Sequence, residues 1–333
     1  MQTLTSYLRR TASSCLWPLA RRAARGYIAG PELGDALRVS DQLGGHEFRS
    51  TVGFWDGEGD SPRSVADQYL AALDALAARR CEVSSDVGRD SYLSIKLPAL
   101  RFSAELLGEV ADHAAKQQVR LHFDSHGPET ADATWQAIVA LAASGPELSS
   151  TLPGRWRRSI DDAELAIAHG VTARVVKGQW RDIEQPEVDL REGFLNVIDR
   201  LAGRVPHVAV ASHDAPLAAE ALRRLRASET SCDLELLYGL PQRAALDVAA
   251  ELDVPVRFYV PYGRAYLPYC LAQARRQPRL IWWLLRDSLV PPRGAGSQLA
   301  VHTRRSHAER GNHEPMRDSI TAPRSPAPSS PIR

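Results

Sequence analysis

Short runs rich in Val, Ile, Leu and aromatics recur along this chain, and most of them end near a residue that can carry charge. SYLSIKL brings Lys96, VRLHFDS brings His122 and Asp124 with His126 just beyond, and TARVVKG brings Arg174 and Lys177. HVAVASH ends on Ser212 and His213 with Asp214 next, DLELLYG holds Glu235 and Tyr238, VRFYV holds Tyr259, and FRSTVGFW ends on Trp55 before Asp56. Charge inside an apolar strand is costly to bury unless it is paired. At any single position a structural ion pair explains the charge as well as a function does. Recurrence at the same end of several runs points instead to a polar pocket, one that binds something anionic and either redox-active or hydrolysable.

Two chemistries suit such a pocket. His122, Asp124 and His126 alternate along one run and His213 and Asp214 close another, a set that could ligate the metal of a hydrolase. The signal for a metal is weak: the first run has no HxH pair, and Lys96, Arg174 and Lys177 raise the local potential against a divalent cation. A flavin is the other candidate. It needs donors near its N1–C2=O and N5 edges and cations for its pyrophosphate, and Arg174, Lys177, Lys96 and His213 supply that charge.

These residues need a scaffold that gathers strand ends. FRSTVGFW, SYLSIKL, VRLHFDS, ELSSTL, TARVVKG, HVAVASH, DLELLYG and VRFYV make eight candidate strands. Between them lie stretches of helical period such as 64–80, 104–117 and 215–227, with Leu106, Leu107, Val110 and Ala114 on one face. Eight strand–helix units predict a closed (β/α)8 TIM-type barrel, whose interior is expected to hold branched aliphatics and whose active groups lie at the C-terminal strand ends. Lys96, Arg174 and Glu235 break that aliphatic expectation. A doubly wound sheet would show GxGxxG or GxxxxGK[ST], and neither occurs.

The barrel is assigned to 48–290. Residues 1–47 read as an N-terminal helical segment. Its first part, with Arg9, Arg10, Arg21, Arg22 and Arg25 and no acid before Glu32, reads as an amphipathic helix on the body or a transit peptide. Residues 291–333 are rich in Pro, Ser and Arg and are predicted to be a disordered tail. A net charge of +1 gives no reason to expect nucleic acid. The four cysteines lack CxxC spacing, which favours a reducing, cytoplasmic home with peripheral membrane contact left open. No window reaches the roughly 20 apolar residues of a membrane span.

At these motifs, over roughly 25–290, the chain resembles the proline dehydrogenase family, FAD-dependent (β/α)8 barrels that oxidise L-proline to 1-pyrroline-5-carboxylate. YIAGPELGDAL, YLSIKLPAL, LHFDS, ARVVKGQW, VASHD, LELLYG and FYVPYGRAYLPY carry the likeness, and ARVVKGQW is the most specific. The resemblance implies catalytic roles for Lys96, Asp124 and Arg174, with Arg174 beside the flavin N5. It implies cofactor contacts from Arg174, Lys177, Ser212, His213, Asp214, Glu235 and Tyr238. The substrate would meet Lys96, Tyr259, Tyr269 and Gln273, the two tyrosines lining the wall that closes over its ring. Electrons would leave to an acceptor such as a quinone.

The chain also departs from the family. Where the last family helix carries an arginine pair that grips the proline carboxylate, PYCLAQ puts Ala272 and Gln273, with Arg275 and Arg276 a turn later. Pro153 stands for a cofactor-contacting Gln, Trp180 for a Tyr, and Glu235 for a Gln. The expected function is therefore flavin-dependent oxidation of L-proline or a proline-like cyclic or secondary amine. A metal-dependent barrel hydrolase and a catalytically degenerate flavin-binding barrel are the alternatives.

Overall fold

The computed structural model describes residues 29–57, 59–82, 90–143 and 145–263. Eight parallel strands close on themselves in chain order. They are β1 (Arg49–Phe54), β2 (Tyr92–Ile95), β3 (Leu121–Phe123), β4 (Leu148–Pro153), β5 (Thr172–Val176), β6 (Val208–Ala211), β7 (Cys232–Leu237) and β8 (Val256–Tyr262). Closure is made by β8 on β1, where Thr51 pairs with Tyr259 and Gly53 with Pro261. All eight predicted strands are present, so the TIM-type architecture stands.

Helix α1 (Leu33–Gly44) precedes the barrel and packs over the β8–β1 seam, with Ala36, Val39 and Leu43 buried. The crossover helices are α2 (Pro62–Glu82), α3 (Ala104–Gln117), α4 (Ala131–Ala142), α5 (Ser159–Ala168), α6 (Leu190–Leu201), α7 (Ala215–Ala227) and α8 (Arg243–Glu251). Their ends follow local chemistry. Ser103 caps α3 by accepting from the Leu106 N–H, and Asp214 caps α7 by accepting from Leu217, with Pro216 in the first turn. The face Leu107, Val110, Ala111 and Ala114 then buries α3 against the sheet.

Strand alternation sorts the core into two layers. Outward residues such as Val52, Leu93, Ile95, Phe123, Val175, Val210, Leu236, Phe258 and Val260 are buried under the helices and make the hydrophobic core. The inward layer corrects the expectation of branched aliphatics. Hydrogen bonds cross the lumen from β8 to β3 and from β5 to β7, and the lumen holds Thr51, Tyr92, Ser94, His122, Ser149, Thr151, Arg174, Asp233, Glu235, Arg257 and Tyr259. Lys96, Arg174 and Glu235 are thus part of a polar interior rather than exceptions in an apolar one. Residues 1–28, Tyr269, Ala272, Gln273 and the tail 291–333 lie outside the described residues.

Candidate active site

Arg174 is the centre of the C-terminal mouth. Its Nε and Nη2 each donate to a Glu235 oxygen at 2.7 Å, and its Nη1 donates to Asp124 Oδ1 at 2.7 Å. The other Asp124 oxygen accepts from the Tyr259 hydroxyl at 2.9 Å. Residues from β5, β7, β8 and the end of β3 thereby meet across one lumen. The Arg174 and Glu235 side chains are 6% and 2% exposed. Burial works against the Arg174 charge, but Glu235, Tyr92 and Asp124 hold its pKa well above the ordinary value, so it stays a cation. Its guanidinium lies 5.1 Å from the Tyr259 ring centroid.

Tyr259 can lie across the mouth because the opposing position is Gly53. A Cβ there would stand 2.2 Å from the Tyr259 hydroxyl oxygen. Burial, then the Asp124 carboxylate, pushes the phenol well above its usual pKa, so it remains a donor. The Trp55 indole reaches the same hydroxyl at 3.4 Å.

Lys96 follows β2 directly and is the N-cap of the 3-10 turn Leu97–Leu100. Its backbone N–H donates to the buried Tyr69 hydroxyl at 3.0 Å, which fixes the strand end against α2. Its Nζ donates to the Phe54 carbonyl, lies 3.8 Å from Asp56 Oδ1 and stands 6.0 Å from the Trp55 ring centroid. Burial lowers the Lys96 pKa, and Asp124 and Asp56 oppose that shift. An amine held this way takes and releases a proton more readily than a surface lysine.

A second group sits beside this cluster at the ends of β5 to β7. Lys177 pairs with Asp214 at 2.7 Å, both side chains being 39% exposed. Hydrogen bonding to Lys177 lowers the Asp214 pKa despite some desolvation. Ser212 accepts from the Asp214 N–H at 3.2 Å. His213 donates from Nδ1 to the Pro241 carbonyl and accepts at Nε2 from the Leu237 N–H, each at 2.9 Å. Tyr238 is half-buried and packs against the core.

The structure therefore gathers Lys96, Asp124, Arg174, Glu235 and Tyr259 around one opening and sets Lys177, Ser212, His213, Asp214 and Tyr238 alongside. It does not gather the suggested metal ligands into one set, although His122 Nε2 lies 3.6 Å from Asp124 Oδ1. β3 ends at Phe123, so His126 leaves the strand and lines a crevice with Thr134, Trp135 and Trp156. His122 is fully buried, with Nδ1 bonded to Ser149 and Nε2 to Thr151 at 2.7 Å. Its pKa falls well below normal through burial, then through Arg174. Among the described residues no cluster of three or more His, Cys, Asp or Glu could hold a metal. Sequence reading gave Gly53 and Tyr69 no role at the site. Neither carries a signal, because each acts through a contact with a distant segment.

No family profile and no curated protein matches the chain. Solved structures do. The fold is similar to proline utilization A (PutA) from Bdellovibrio bacteriovorus, with a TM-score of 0.65 at 15% identity over 84% of this chain and 35% of that one. PutA from Corynebacterium freiburgense gives 0.60 at 16% identity over 97% and 36%. A variant of Bradyrhizobium japonicum PutA gives 0.57 at 19% identity over 73% and 29%. At such identities the likeness shows the fold, and the chain spans about a third of the length of these proteins.

Proposed function

We propose that the C-terminal mouth oxidises L-proline or a related cyclic or secondary amine with a flavin as hydride acceptor, the proline dehydrogenase type of reaction. The observation that carries this reading is the Asp124 carboxylate held at once by Arg174 and Tyr259 beside the buried amine of Lys96. The fold likeness supports it: the Bdellovibrio neighbour is a proline utilization A inactivated by N-propargylglycine.

The donors present suit a flavin. Of the five guanidinium N–H groups of Arg174, carboxylates take three and two are left. Lys177 stands half-exposed where α7 begins, and both the ammonium and a helix N-terminus favour phosphate. Arg174, Lys177 and Tyr238 would hold the group, with Glu235 and Asp214 fixing the two cations. When bound, FAD supplies a two-electron acceptor for the substrate hydride.

The chain's own residues do the rest. A substrate ammonium must lose a proton before its ring carbon can give up a hydride. Lys96 Nζ, destabilised as a cation by burial, is placed to accept that proton. Asp124, fixed by two donors, orients the amine. Trp55 and the Tyr259 ring wall the opening against water. The purified full-length chain is expected to absorb in the visible range of a flavin and to reduce a dye with L-proline or a cyclic amine. A colourless chain that takes up no added FAD would overturn this reading.

A further inference from the structure

We infer that Glu235 sets the charge preference of the mouth, and that the substrate selected there is an amine cation with no free carboxylate. The inference rests on the reading of the mouth as an amine-oxidising site and names its substrate class.

A carboxylate ligand is best received by the side-on face of an arginine, where Nε and an Nη donate in parallel. Among the described residues Arg174 is the buried arginine of this mouth, and that face is already filled. Both Glu235 oxygens occupy it at 2.7 Å, and Asp124 takes a third nitrogen. Lys96 is spoken for by the Phe54 carbonyl and faces Asp56 at 3.8 Å. Lys177 is matched by Asp214. Around the opening the described residues thus present three carboxylates (Asp56, Asp124, Glu235) against at most two cations (Arg174, and Lys96 when it carries a proton), and three minus two leaves at least one negative charge in excess.

Such a balance attracts an ammonium and repels a carboxylate. Glu235 decides the sign. Were it neutral, the same count would be two against two, and Arg174 would present an uncompensated fork to the opening. An amide at 235 retains the shape and one acceptor oxygen while removing that charge.

Three probes of one ring size separate the possibilities: pyrrolidine (cation alone), L-proline (both charges) and cyclopentanecarboxylate (anion alone). Calorimetry on the full-length chain near neutral pH is expected to rank pyrrolidine about tenfold or more tighter than cyclopentanecarboxylate, with L-proline no tighter than pyrrolidine. Glu235→Gln is expected to narrow the pyrrolidine-to-cyclopentanecarboxylate ratio by about tenfold. Tighter binding of either carboxylate in the wild type, no pyrrolidine binding, or an unchanged ratio in a folded E235Q protein would each overturn the inference. If E235Q does not fold, the wild-type ranking decides alone. A flavin-free chain that prefers pyrrolidine defeats the amine-oxidation reading and leaves the charge assignment standing. A flavin-bearing chain that prefers carboxylates does the reverse.

Discussion

Arg174 and Arg257 are buried guanidiniums at opposite ends of one barrel, and different partners hold them. Arg257, at the N-terminal end, donates from Nε to Asp233 at 2.9 Å, from Nη1 to the Ser50 and Asp90 carbonyls at 3.1 and 2.7 Å, and from Nη2 to the Asp90 carboxylate at 2.7 Å. It also lies 4.4 Å from the Tyr92 ring centroid, and Arg257 and Asp233 are both 0% exposed. Among the described residues Arg174 bonds side chains alone and keeps donors to spare. One end is stitched to the backbone of neighbouring segments. The other is held together by side chains. This agrees with the general division of such barrels, stability at the bottom and chemistry at the top.

The comparison is tested hardest at Arg257. Arg257→Met removes the nearest cation, 2.9 Å from the buried Asp233 carboxylate, and the donor of two carbonyls, and it is expected to cost about 3–5 kcal/mol in urea unfolding. Adding Asp233→Asn should recover little, since the Ser50 and Asp90 carbonyls still lack the Arg257 donor. At the mouth, Arg174→Met with Glu235→Gln should recover most of the loss from Arg174→Met alone, because Asp124 can turn to water. Equal recovery at both ends would erase the distinction.

Chemistry should show the opposite bias. Asp124→Asn retains the size of the side chain and should lower dye-linked turnover by about a hundredfold, within the usual range for a positioned acid–base group. Its melting temperature should move far less than that of the Arg257 variant. Arg257→Met, in the fraction that remains folded, should lose turnover only modestly. A comparable loss of turnover from both would show that the two ends are not separate.

His122 lies between the ends, its Nε2 3.6 Å from Asp124 Oδ1, and it sharpens the comparison through pH. Its folded pKa is depressed, first by burial and then by Arg174. Above about pH 6.5 the ring is neutral in both folded and unfolded chains, and its contribution is complete. Below that, the unfolded chain binds a proton that the folded one refuses. Stability then falls with falling pH, by up to about 1.4 kcal/mol per unit for this residue. His126 and His213 are shifted in the same direction. Unfolding free energy followed from pH 7 to 5 should therefore drop, and His122→Gln should flatten the slope. An unchanged slope would mean that the ring already titrates freely in the folded state.

Much of the top of the barrel was legible in the sequence because short apolar runs mark the strands and the candidate groups sit at or near their ends. Asp124, Arg174, Glu235 and Tyr259 meet at one mouth. The pairing was not legible. A Glu at 235 looks out of place beside a site expected to welcome anions until the register sets it opposite Arg174 across the lumen. The polar interior was hidden for a related reason. Ser94, Ser149 and Thr151 read as unremarkable strand residues, and only closure turns their alternate positions inward. His126 shows the limit of period counting, since β3 stops at Phe123 and its two-residue rhythm no longer places the side chain. The Ala272 and Gln273 expectation falls outside the described residues.

The mildest change on the mouth side is Tyr259→Phe. The ring would still pack against Gly53 and face the Arg174 guanidinium at 5.1 Å, so the aromatic wall and its cation contact survive. What disappears is the hydrogen bond to Asp124 Oδ2, an oxygen of a partly exposed carboxylate that Arg174 still anchors through its other oxygen, together with the long 3.4 Å contact from the Trp55 indole. The stability cost is expected to be about 1 kcal/mol. Turnover should fall by about tenfold or less, since the carboxylate that orients the amine remains in place with one fewer restraint. A loss as large as that of Asp124→Asn would move the phenol from support to a direct part in the proton chemistry. No loss would leave Arg174 as the sole group that fixes Asp124.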